Sequence, residues 1–373
     1  MSSENPTLAL GLSAIASCPH QARKTRAAQL SALGALAAVA LSGCGQGDPR
    51  EPFTDSRIPP GLESRFYPPD GWTWGLVRTG DAPAARYGVS APAGTPAGDV
   101  LILTAYGEPA EIWFETVREL NARGLVVWVL EPVGQGGSGR YGRVRDLGHA
   151  DNFEPDVQGL RTMADKVVRR RPLILMASGT SAPAAAQALA RGLRADAAIL
   201  SSPRLAPPPP SVLAQAATMQ RIGLAWLRAD LHGGWSRKGP DDLALGLTHD
   251  AARGKLRLAW QTANPDLRMG SPSWAWTLAF AQAAQAADVA APRVGVPVLV
   301  LKPDHDPAAA DGVCRRMPHC TVQTLAGTGQ ALELETDAVR RPWLSAVQAF
   351  VARTIGDFPP PSARARLSPD GPR

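Results

Sequence analysis

The strongest constraint on how this chain can fold is a series of short, continuously apolar segments separated by stretches with helical spacing. Short apolar runs without polar alternation are typical of strands buried on both faces of a parallel sheet. The segments between them supply the crossovers that parallel neighbours require. The candidate strands are residues 74–79, 85–90, 100–104, 125–130, 172–176, 197–200, 296–301 and 321–325, and the candidate helices are 112–122, 156–170, 181–191, 308–317 and 337–354. The sequence therefore predicts an α/β fold with an opening antiparallel hairpin, a mostly parallel central sheet and helices on both faces.

The alternation stops after the strand at residues 197–200. Residues 204–292 contain segments of helical character but no convincing strand, and they include the stiff polyproline stretch at 207–210. Strand and helix alternate again from residue 293. We therefore predict a core formed by residues 71–203 and 293–356, with a helical cap at 204–292 inserted after the sixth strand. The Pro- and Arg-rich tail at 357–373 is predicted to be disordered.

The N-terminal segment has the organisation of a secretory signal. A basic run at residues 21–26 precedes an Ala-rich apolar run at 30–41, which is too short to span a bilayer comfortably. The ending Leu41-Ser-Gly-Cys44 resembles the lipobox of bacterial lipoproteins. That resemblance implies a signal peptide at residues 1–43, cleavage before Cys44, diacylglycerol on its sulfur and an acylated new N-terminus. An ordinary signal peptide or an uncleaved anchor is the alternative.

Several acyl chains on one residue would give stable membrane anchoring. Residues 44–70 would then be the lipidated cysteine and a polar tether. The expected location is the bacterial cell envelope, facing the periplasm, with membrane lipid as a partner through Cys44. No Asp follows Cys44, which in lipoproteins favours the outer membrane.

Charge and cysteine content narrow the other partners. The formal net charge is +6, and only 19% of the residues are charged. The basic side chains are scattered along the chain, so we predict no nucleic-acid partner. Cys314 and Cys320 are the cysteines left for the mature domain, where an oxidising compartment permits a disulfide; two reduced, half-buried cysteines are the alternative. No further Cys/His cluster suggests a metal, and we expect no cofactor.

The glycine-rich loop Gly134-Gln-Gly-Gly-Ser-Gly139 follows a candidate strand and satisfies G-x-G-x-x-G. A dinucleotide site needs a helix that begins at these glycines, so that its N-terminus meets the pyrophosphate. The residues after Gly139 lack a helical pattern. A dinucleotide-binding enzyme is therefore a minor hypothesis.

Together with Arg140, the same loop resembles the segment after the fourth strand in lysophospholipase and monoacylglycerol-lipase-like hydrolases, a serine aminopeptidase-like branch of the α/β-hydrolase superfamily. Further segments resemble that branch in the same order along the chain. They are residues 108–115, 148–153, 201–203, 247–250, 263–267 with 270–274, and 314–320. The resemblance covers about residues 74–355 and implies the α/β-hydrolase fold.

Hydrolysis in this branch needs a serine on a tight strand-to-helix turn, then an aspartate and a histidine. The resemblance puts Gly179 at the nucleophile position, where no acyl-enzyme can form. It puts Asp306 at the acid position and Gln330 at the histidine position. A carboxamide can hydrogen-bond but cannot take a proton near neutral pH. The resemblance therefore implies a retained fold and a lost hydrolytic route, because these residues act as a unit.

Substitutes for the lost groups are available nearby. Ser178 and Ser181 flank the turn, and His305 adjoins the acid position. Ordinary roles are the favoured explanation for each of them, such as capping of the following helix by Ser181. The oxyanion donors of the family correspond to the amides of Tyr106 and Thr180. The cap tryptophans Trp226, Trp235, Trp260, Trp274 and Trp276 either line an apolar pocket for a lipid tail or pack in the core.

Two main hypotheses result. The first is a catalytically degenerate lipoprotein of this hydrolase branch that binds a lipid, an acyl ligand or another envelope partner. The second is an active serine esterase or lysophospholipase with a displaced triad.

Overall fold

The computed structural model describes residues 50–142, 144–305 and 309–356. The predicted signal peptide, Cys44, Asp306 and the predicted tail lie outside these ranges. Among the described helices, none combines the length and the hydropathy needed to cross a membrane.

An eight-stranded sheet forms the centre of the molecule, in the order β1-β2-β4-β3-β5-β6-β7-β8. The strands β1 and β2 pair antiparallel, and so do β2 and β4, whereas every other neighbouring pair is parallel. The strands are β1 Thr73–Val77, β2 Ala85–Ser90, β3 Gly98–Leu103, β4 Leu125–Leu130, β5 Leu173–Ser178, β6 Ala197–Ser201, β7 Val298–Pro303 and β8 Cys320–Leu325. The predicted fold class, an antiparallel hairpin leading into a parallel sheet, is confirmed.

The continuous apolar runs are explained by burial on both faces. Every residue of β3, β5, β6 and β7 is buried. Alternate side chains of one strand enter two different cores: Leu101 and Leu103 face one, and Val100 and Ile102 face the other. The edge strands β1 and β8 keep several exposed positions.

Helices cover both faces. The helices are α1 Phe114–Asn121, α2 Glu154–Thr162, α3 Ala182–Ala190, α4 Pro210–Arg221, α5 Leu256–Ala263, α6 Trp274–Ala290, α7 Ala309–Arg316 and α8 Asp337–Gly356. Helices α1 and α8 contribute to the core on the Val100 face, and α2, α3 and α7 contribute to the core on the Leu101 face. Helix α6 packs against α3 and also against α4.

Helix and strand limits differ from the expectations in two instructive places. Strand β7 begins at Val298 because Pro297 has no N–H to donate to the sheet. The helix predicted over 156–170 runs from Glu154 and ends in a single π turn, Met163–Val167, closed by a hydrogen bond from the Val168 amide to the Met163 carbonyl oxygen at 2.7 Å. Pro172 disfavours helical backbone at the residue before it.

Between β6 and β7 the chain forms helices α4, α5 and α6 and the short 3-10 turns Arg253–Lys255, Pro265–Leu267 and Ala291–Arg293. Ala216, Ala225, Trp274 and Ala275 form a small apolar cluster within this segment. The segment follows the carboxyl end of β6, so it begins at the edge of the sheet where strand-to-helix turns gather their side chains.

Candidate functional site

The turn after β5 has the backbone of a nucleophile elbow without the nucleophile. The strand ends at Ser178, a 3-10 turn covers Gly179–Ser181, and α3 begins at Ala182. Gly179 has φ +46°, a region that favours glycine. A Cβ at this position would lie 3.0 Å from the Ala105 Cβ. The turn therefore keeps its sharp geometry, and Gly179 offers no side-chain oxygen.

The two predicted oxyanion donors are not both free. The Tyr106 amide donates a hydrogen bond to the Thr180 Oγ1 at 2.7 Å. A threonine side chain thus occupies the donor that would stabilise an oxyanion in a working enzyme. Of the two amides that the family resemblance assigns to an oxyanion, that of Tyr106 is therefore already hydrogen-bonded within the protein.

Neither flanking serine faces a base in the cavity. Ser178 is 4% exposed, and its hydroxyl donates to Glu108 Oε1 at 3.5 Å. Ser181 is 5% exposed, and its hydroxyl donates to the Thr104 carbonyl oxygen. The expected capping of α3 by Ser181 is also wrong, since its side chain accepts no hydrogen bond from the helix. Both serines instead tie the elbow to the turn after β3.

Glu108 carries the carboxyl group that Ser178 contacts. The residue is half-buried, and desolvation of its carboxyl group raises its pKa to about 7. Its Oε2 accepts the Ala105 amide at 2.8 Å. Glu108 and Ser178 are absent from the lining of the cavity described below, so the pair stabilises the turn rather than meeting a ligand.

Gln330 lies in the loop between β8 and the short turn Leu332–Leu334. The loop is held on both sides of this residue. The Gly329 amide donates to Glu335 Oε1 at 2.5 Å, and the Ala331 amide donates to the Leu247 carbonyl oxygen at 2.8 Å. Gln330 is half-buried and lines the same cavity as Thr180. The family resemblance assigns Gln330 to the histidine position, and a carboxamide cannot act as a catalytic base.

The third position is described only in part. Asp306 lies outside the described residues. His305, on the loop after β7, has a side chain that is 55% exposed, and its Nδ1 lies 3.6 Å from Asp304 Oδ1. Within the described ranges, no histidine nitrogen contacts the hydroxyl of Ser178 or Ser181.

A cavity of 540 Å³ opens beside the elbow. Its wall combines the elbow residue Thr180, the Gln330 loop, the start of α7, the proline stretch and two aromatic residues of α6. The lining residues are Thr180, Pro203, Arg204, Leu205, Ala206, Pro207, Pro208, Pro209, Trp276, Thr277, Phe280, Ala309, Ala310 and Gln330. Arg204, Thr277 and Phe280 were not predicted as site residues from the sequence, in which the stiff proline run next to Arg204 is the one nearby signal.

The cap tryptophans have different environments. Trp276 lines the cavity and stacks on Phe280 with ring centroids 5.4 Å apart. Trp260 is completely buried and packs edge-on against Phe114. Trp235 donates its indole N–H to Gln261, and Trp274 belongs to the small cap cluster. Trp226 is half-buried. Trp276 therefore lines a pocket, whereas Trp260 and Trp274 pack in apolar cores.

A serine–histidine–aspartate chain does occur elsewhere. The His149 Nδ1 lies 3.0 Å from the Ser273 Oγ, and its Nε2 lies 3.5 Å from Asp151 Oδ1. Burial lowers the pKa of His149, which favours the neutral ring. Ser273 is 0% exposed, however, and its Oγ accepts the Trp276 amide at the start of α6. A nucleophile must be reached by its substrate, and Ser273 is closed to solvent. We therefore assign this chain of three residues to capping of helix α6 and not to catalysis.

The glycine-rich loop holds an ion pair. Its Gly137 amide donates to Glu131 Oε2 at 2.9 Å, and Glu131 pairs with the completely buried Arg86 at 2.6 Å. A Cβ at Gly136 would lie 2.4 Å from Glu131 Oε1. The next described helix begins at Glu154, so no helix N-terminus meets these glycines. The loop has a packing role that accounts for its small residues.

Cys314 and Cys320 are joined by a disulfide that links α7 to the first residue of β8. Among the described residues, no group of three or more His, Cys, Asp or Glu side chains is arranged to hold a metal ion.

The comparison with protein families decides the relationship. A family model described as serine aminopeptidase, S33, matches residues 94–328, which is more than half of the chain. The chain belongs to the serine aminopeptidase S33 family. The match contains the elbow, the glycine-rich loop and the cap, and it ends two residues before Gln330. A comparison with curated proteins found no match.

Solved structures of this hydrolase fold are similar over most of the chain. A soluble variant of monoglyceride lipase from Saccharomyces cerevisiae, in complex with a substrate analog, has a TM-score of 0.61 and 16% identity, covering 77% of this chain and 97% of that one. A carboxyl esterase from Bacillus coagulans in complex with glycerol has a TM-score of 0.59 and 15% identity, covering 76% and 99%. A monoacylglycerol lipase from Paleococcus ferrophilus has a TM-score of 0.55 and 17% identity, covering 72% of this chain and 98% of that one. These likenesses show that the chain has the α/β-hydrolase fold over most of its length.

Proposed function

We propose that this S33-family protein is a catalytically degenerate member that binds an acyl or lipid ligand in the cavity beside its elbow. The observation that carries the proposal is the hydrogen bond from the Tyr106 amide to the Thr180 hydroxyl. Together with Gly179 and Gln330, it leaves nucleophile, base and oxyanion donor all unfit for acyl transfer. Three independent losses around one cavity argue against a single misplaced residue.

The cavity itself supports binding without turnover. Its 540 Å³ falls within the range of about 300–1,000 Å³ that is usual for small-molecule sites. Trp276, Phe280 and Leu205 provide apolar wall, while Thr180 and Gln330 provide polar groups at the former reaction centre. Such a combination suits a molecule with an apolar chain and one polar end.

We further propose that Cys44 carries the lipid anchor that its lipobox-like sequence suggests, so that the protein acts at the bacterial cell envelope. Exchange of Cys44 for serine tests this part separately. The variant should fail to incorporate radiolabelled palmitate and should move from the membrane to the soluble fraction. Palmitate incorporation that persists in Cys44→Ser would refute the anchor and leave the cavity proposal intact.

A fluorophosphonate probe tests the loss of catalysis directly, because it labels activated serines. The purified mature chain should remain unlabelled beside an active serine esterase in the same reaction. Labelling that disappears in Ser178→Ala or Ser181→Ala would overturn the proposal in favour of a displaced triad. Labelling that survives in both variants would equally overturn it by revealing another nucleophile.

Binding is tested with decanol, a neutral amphiphile, by titration calorimetry. The native chain should bind it, and Ala206→Trp should weaken binding because Ala206 lines the cavity. Ala214→Trp is the matched control, since Ala214 is exposed on α4 and does not line the cavity. Equal losses in both variants, or no binding by the native chain, would contradict a ligand in this cavity.

A further inference from the structure

We propose that the natural ligand of this cavity ends in a free carboxylate, which Arg204 binds, and that it is a carboxylic acid with an apolar chain rather than an ester. This inference rests on the proposed ligand-binding function and specifies the chemistry of the polar end. It follows from the charge in the cavity wall and from how the backbone at Arg204 is held.

The backbone at Arg204 is fixed against the elbow. Strand β6 ends at Ser201, and Ser202 has φ +44°, the one positive φ among the described residues other than glycine. The Ser202 amide donates to the Leu301 carbonyl oxygen at 2.7 Å. The Arg204 amide then donates to the Gly179 carbonyl oxygen at 2.9 Å. The turn therefore directs the chain from β6 back onto the degenerate elbow and anchors Arg204 there. Strained backbone of this kind tends to persist where a site requires it.

The side chain of Arg204 has no competing partner among the described residues. No carboxylate in those ranges lies within 4.0 Å of its guanidinium, whereas twelve other arginines in them form such pairs. The described cavity lining contains no Asp or Glu. Among its described lining residues, the cavity thus carries one cation and no anion.

Trp276, a residue of the same wall, has a buried indole N–H without an acceptor among the described residues. Arginine binds carboxylates through paired, charge-assisted hydrogen bonds, and an ester offers no charge to such a fork. A wall with one cation and aromatic surface therefore favours an acid over its ester. An acid also has no ester bond to cleave, so its binding needs no nucleophile.

The test compares decanoic acid, decanol and methyl decanoate by titration calorimetry below their aggregation limits, at a pH at which the acid is ionised. The native chain should bind the acid about fivefold more tightly than either neutral molecule, a modest factor because Arg204 is exposed. Arg204→Gln should remove this preference. Arg204→Lys should retain part of it. Arg123→Gln is the control, because Arg123 is an exposed arginine that precedes the amino end of β4, whereas Arg204 follows the carboxyl end of β6.

The outcomes separate the two proposals. Equal binding of the three molecules by the native chain would overturn the carboxylate and leave the acyl-binding function standing. A preference for acid that survives in Arg204→Gln would overturn the role of Arg204. Absence of binding by all three molecules would overturn the proposed function itself.

Discussion

In the proposed loss of catalysis, Gly179, Thr180 and Gln330 affect different parts of one reaction. If the two positions correspond to those of the family, glycine at residue 179 removes the attacking oxygen and glutamine at residue 330 removes the proton acceptor. Thr180 places its hydroxyl on the Tyr106 amide at 2.7 Å, where an oxyanion would otherwise bind. The first two changes are visible in the sequence, and the third depends on a side-chain orientation.

Restoring the lost groups together should recover chemistry. We expect Gly179→Ser/Thr180→Ala/Gln330→His to react with a fluorophosphonate, because the triple variant regains nucleophile, free amide and base. Recovery should be slow, since serine at φ +46° is strained and its Cβ would press on Ala105 at 3.0 Å. Labelling rates measured by gel fluorescence check this expectation.

Two comparisons sharpen that experiment. Gly179→Ala/Thr180→Ala/Gln330→His has the same backbone demand without the hydroxyl and should stay unlabelled. Gly179→Ser alone should stay unlabelled as well. Rapid labelling of this single variant would mean that a base other than residue 330 serves the elbow.

Counting along the family pattern assigned Gly179 and Gln330 to the nucleophile and histidine positions, and this correspondence stays a prediction. In the structure Gly179 lies on the sharp turn after β5 and Gln330 lines the cavity. Such counting could not find Arg204, because nothing local marks a side chain that becomes part of a cavity through the turn at Ser202. It also misjudged Ser181, whose hydroxyl bonds across to Thr104 instead of along its own helix.

Among the structural elements, Arg253 joins the cap to the core. Its side chain is 2% exposed and bonds Glu115 on α1, Asp250 in the cap and Asp337 on α8. Replacing it with methionine should lower the free energy of unfolding by roughly 3 kcal/mol, because it leaves Glu115 without its strongest partner. Urea denaturation measures the loss.

Arg341→Met is the matched control for Arg253. Arg341 is 79% exposed and has one partner, Asp337, at 3.6 Å. Its replacement should change the free energy of unfolding by less than about 0.5 kcal/mol. Equal losses in the two variants would contradict the joining role of Arg253.

The disulfide is a second connection between elements. Replacing Cys314 and Cys320 with serine should lower the free energy of unfolding by roughly 2 kcal/mol, the amount expected for a cross-link that closes a short loop. Reduced native protein should show the same loss in urea. If reduction leaves the native curve unchanged, the two sulfurs are not bonded in solution.

Elements were predictable where burial on both faces made the sequence continuously apolar, as in β3 and β5. Their ends were less so. Pro297 shifted the start of β7 to Val298. The π turn Met163–Val167 after α2 has no signal in the helical spacing of the apolar residues. The cap was recognisable as helical, but its contact with the Gln330 loop joins residues far apart in sequence.

Across the whole molecule, buried carboxyl groups should make stability depend on pH. Asp156 is buried without a cation, and this burial raises its pKa from 3.8 to about 7. The folded protein therefore holds a proton that the unfolded chain releases near pH 4. Stability from this group is complete below about pH 4 and declines as the pH rises to about 7. Glu108 acts in the same direction.

Asp156→Asn isolates this contribution. Asparagine keeps an oxygen for the Val133 amide, which now donates to Asp156 Oδ1 at 2.8 Å. Thermal unfolding of the variant should therefore show a smaller decline between pH 4 and pH 7, by about 2–4 kcal/mol over that interval. Identical pH profiles would show that Asp156 does not carry the proton.

At this scale the sequence was informative because alternation, motif order and the helical interruption all indicated one fold. It could not indicate which buried carboxyls lack a cation. Asp156 looks like an ordinary helix-start acid in the sequence, and only its surroundings make it titrate near neutrality.

Gly329 has a consequence for how a molecule reaches the cavity. A Cβ there would lie 2.2 Å from the Leu247 carbonyl oxygen, so cap and loop meet backbone to backbone. The Ala331 amide and the Thr248 hydroxyl add hydrogen bonds across the same seam. We expect this side to stay shut during exchange. The exposed prolines Pro207 and Pro209 border the cavity and have no N–H to bind a neighbour. Passage of the ligand beside these prolines, rather than the opening of a lid, would then determine its residence time in the cavity.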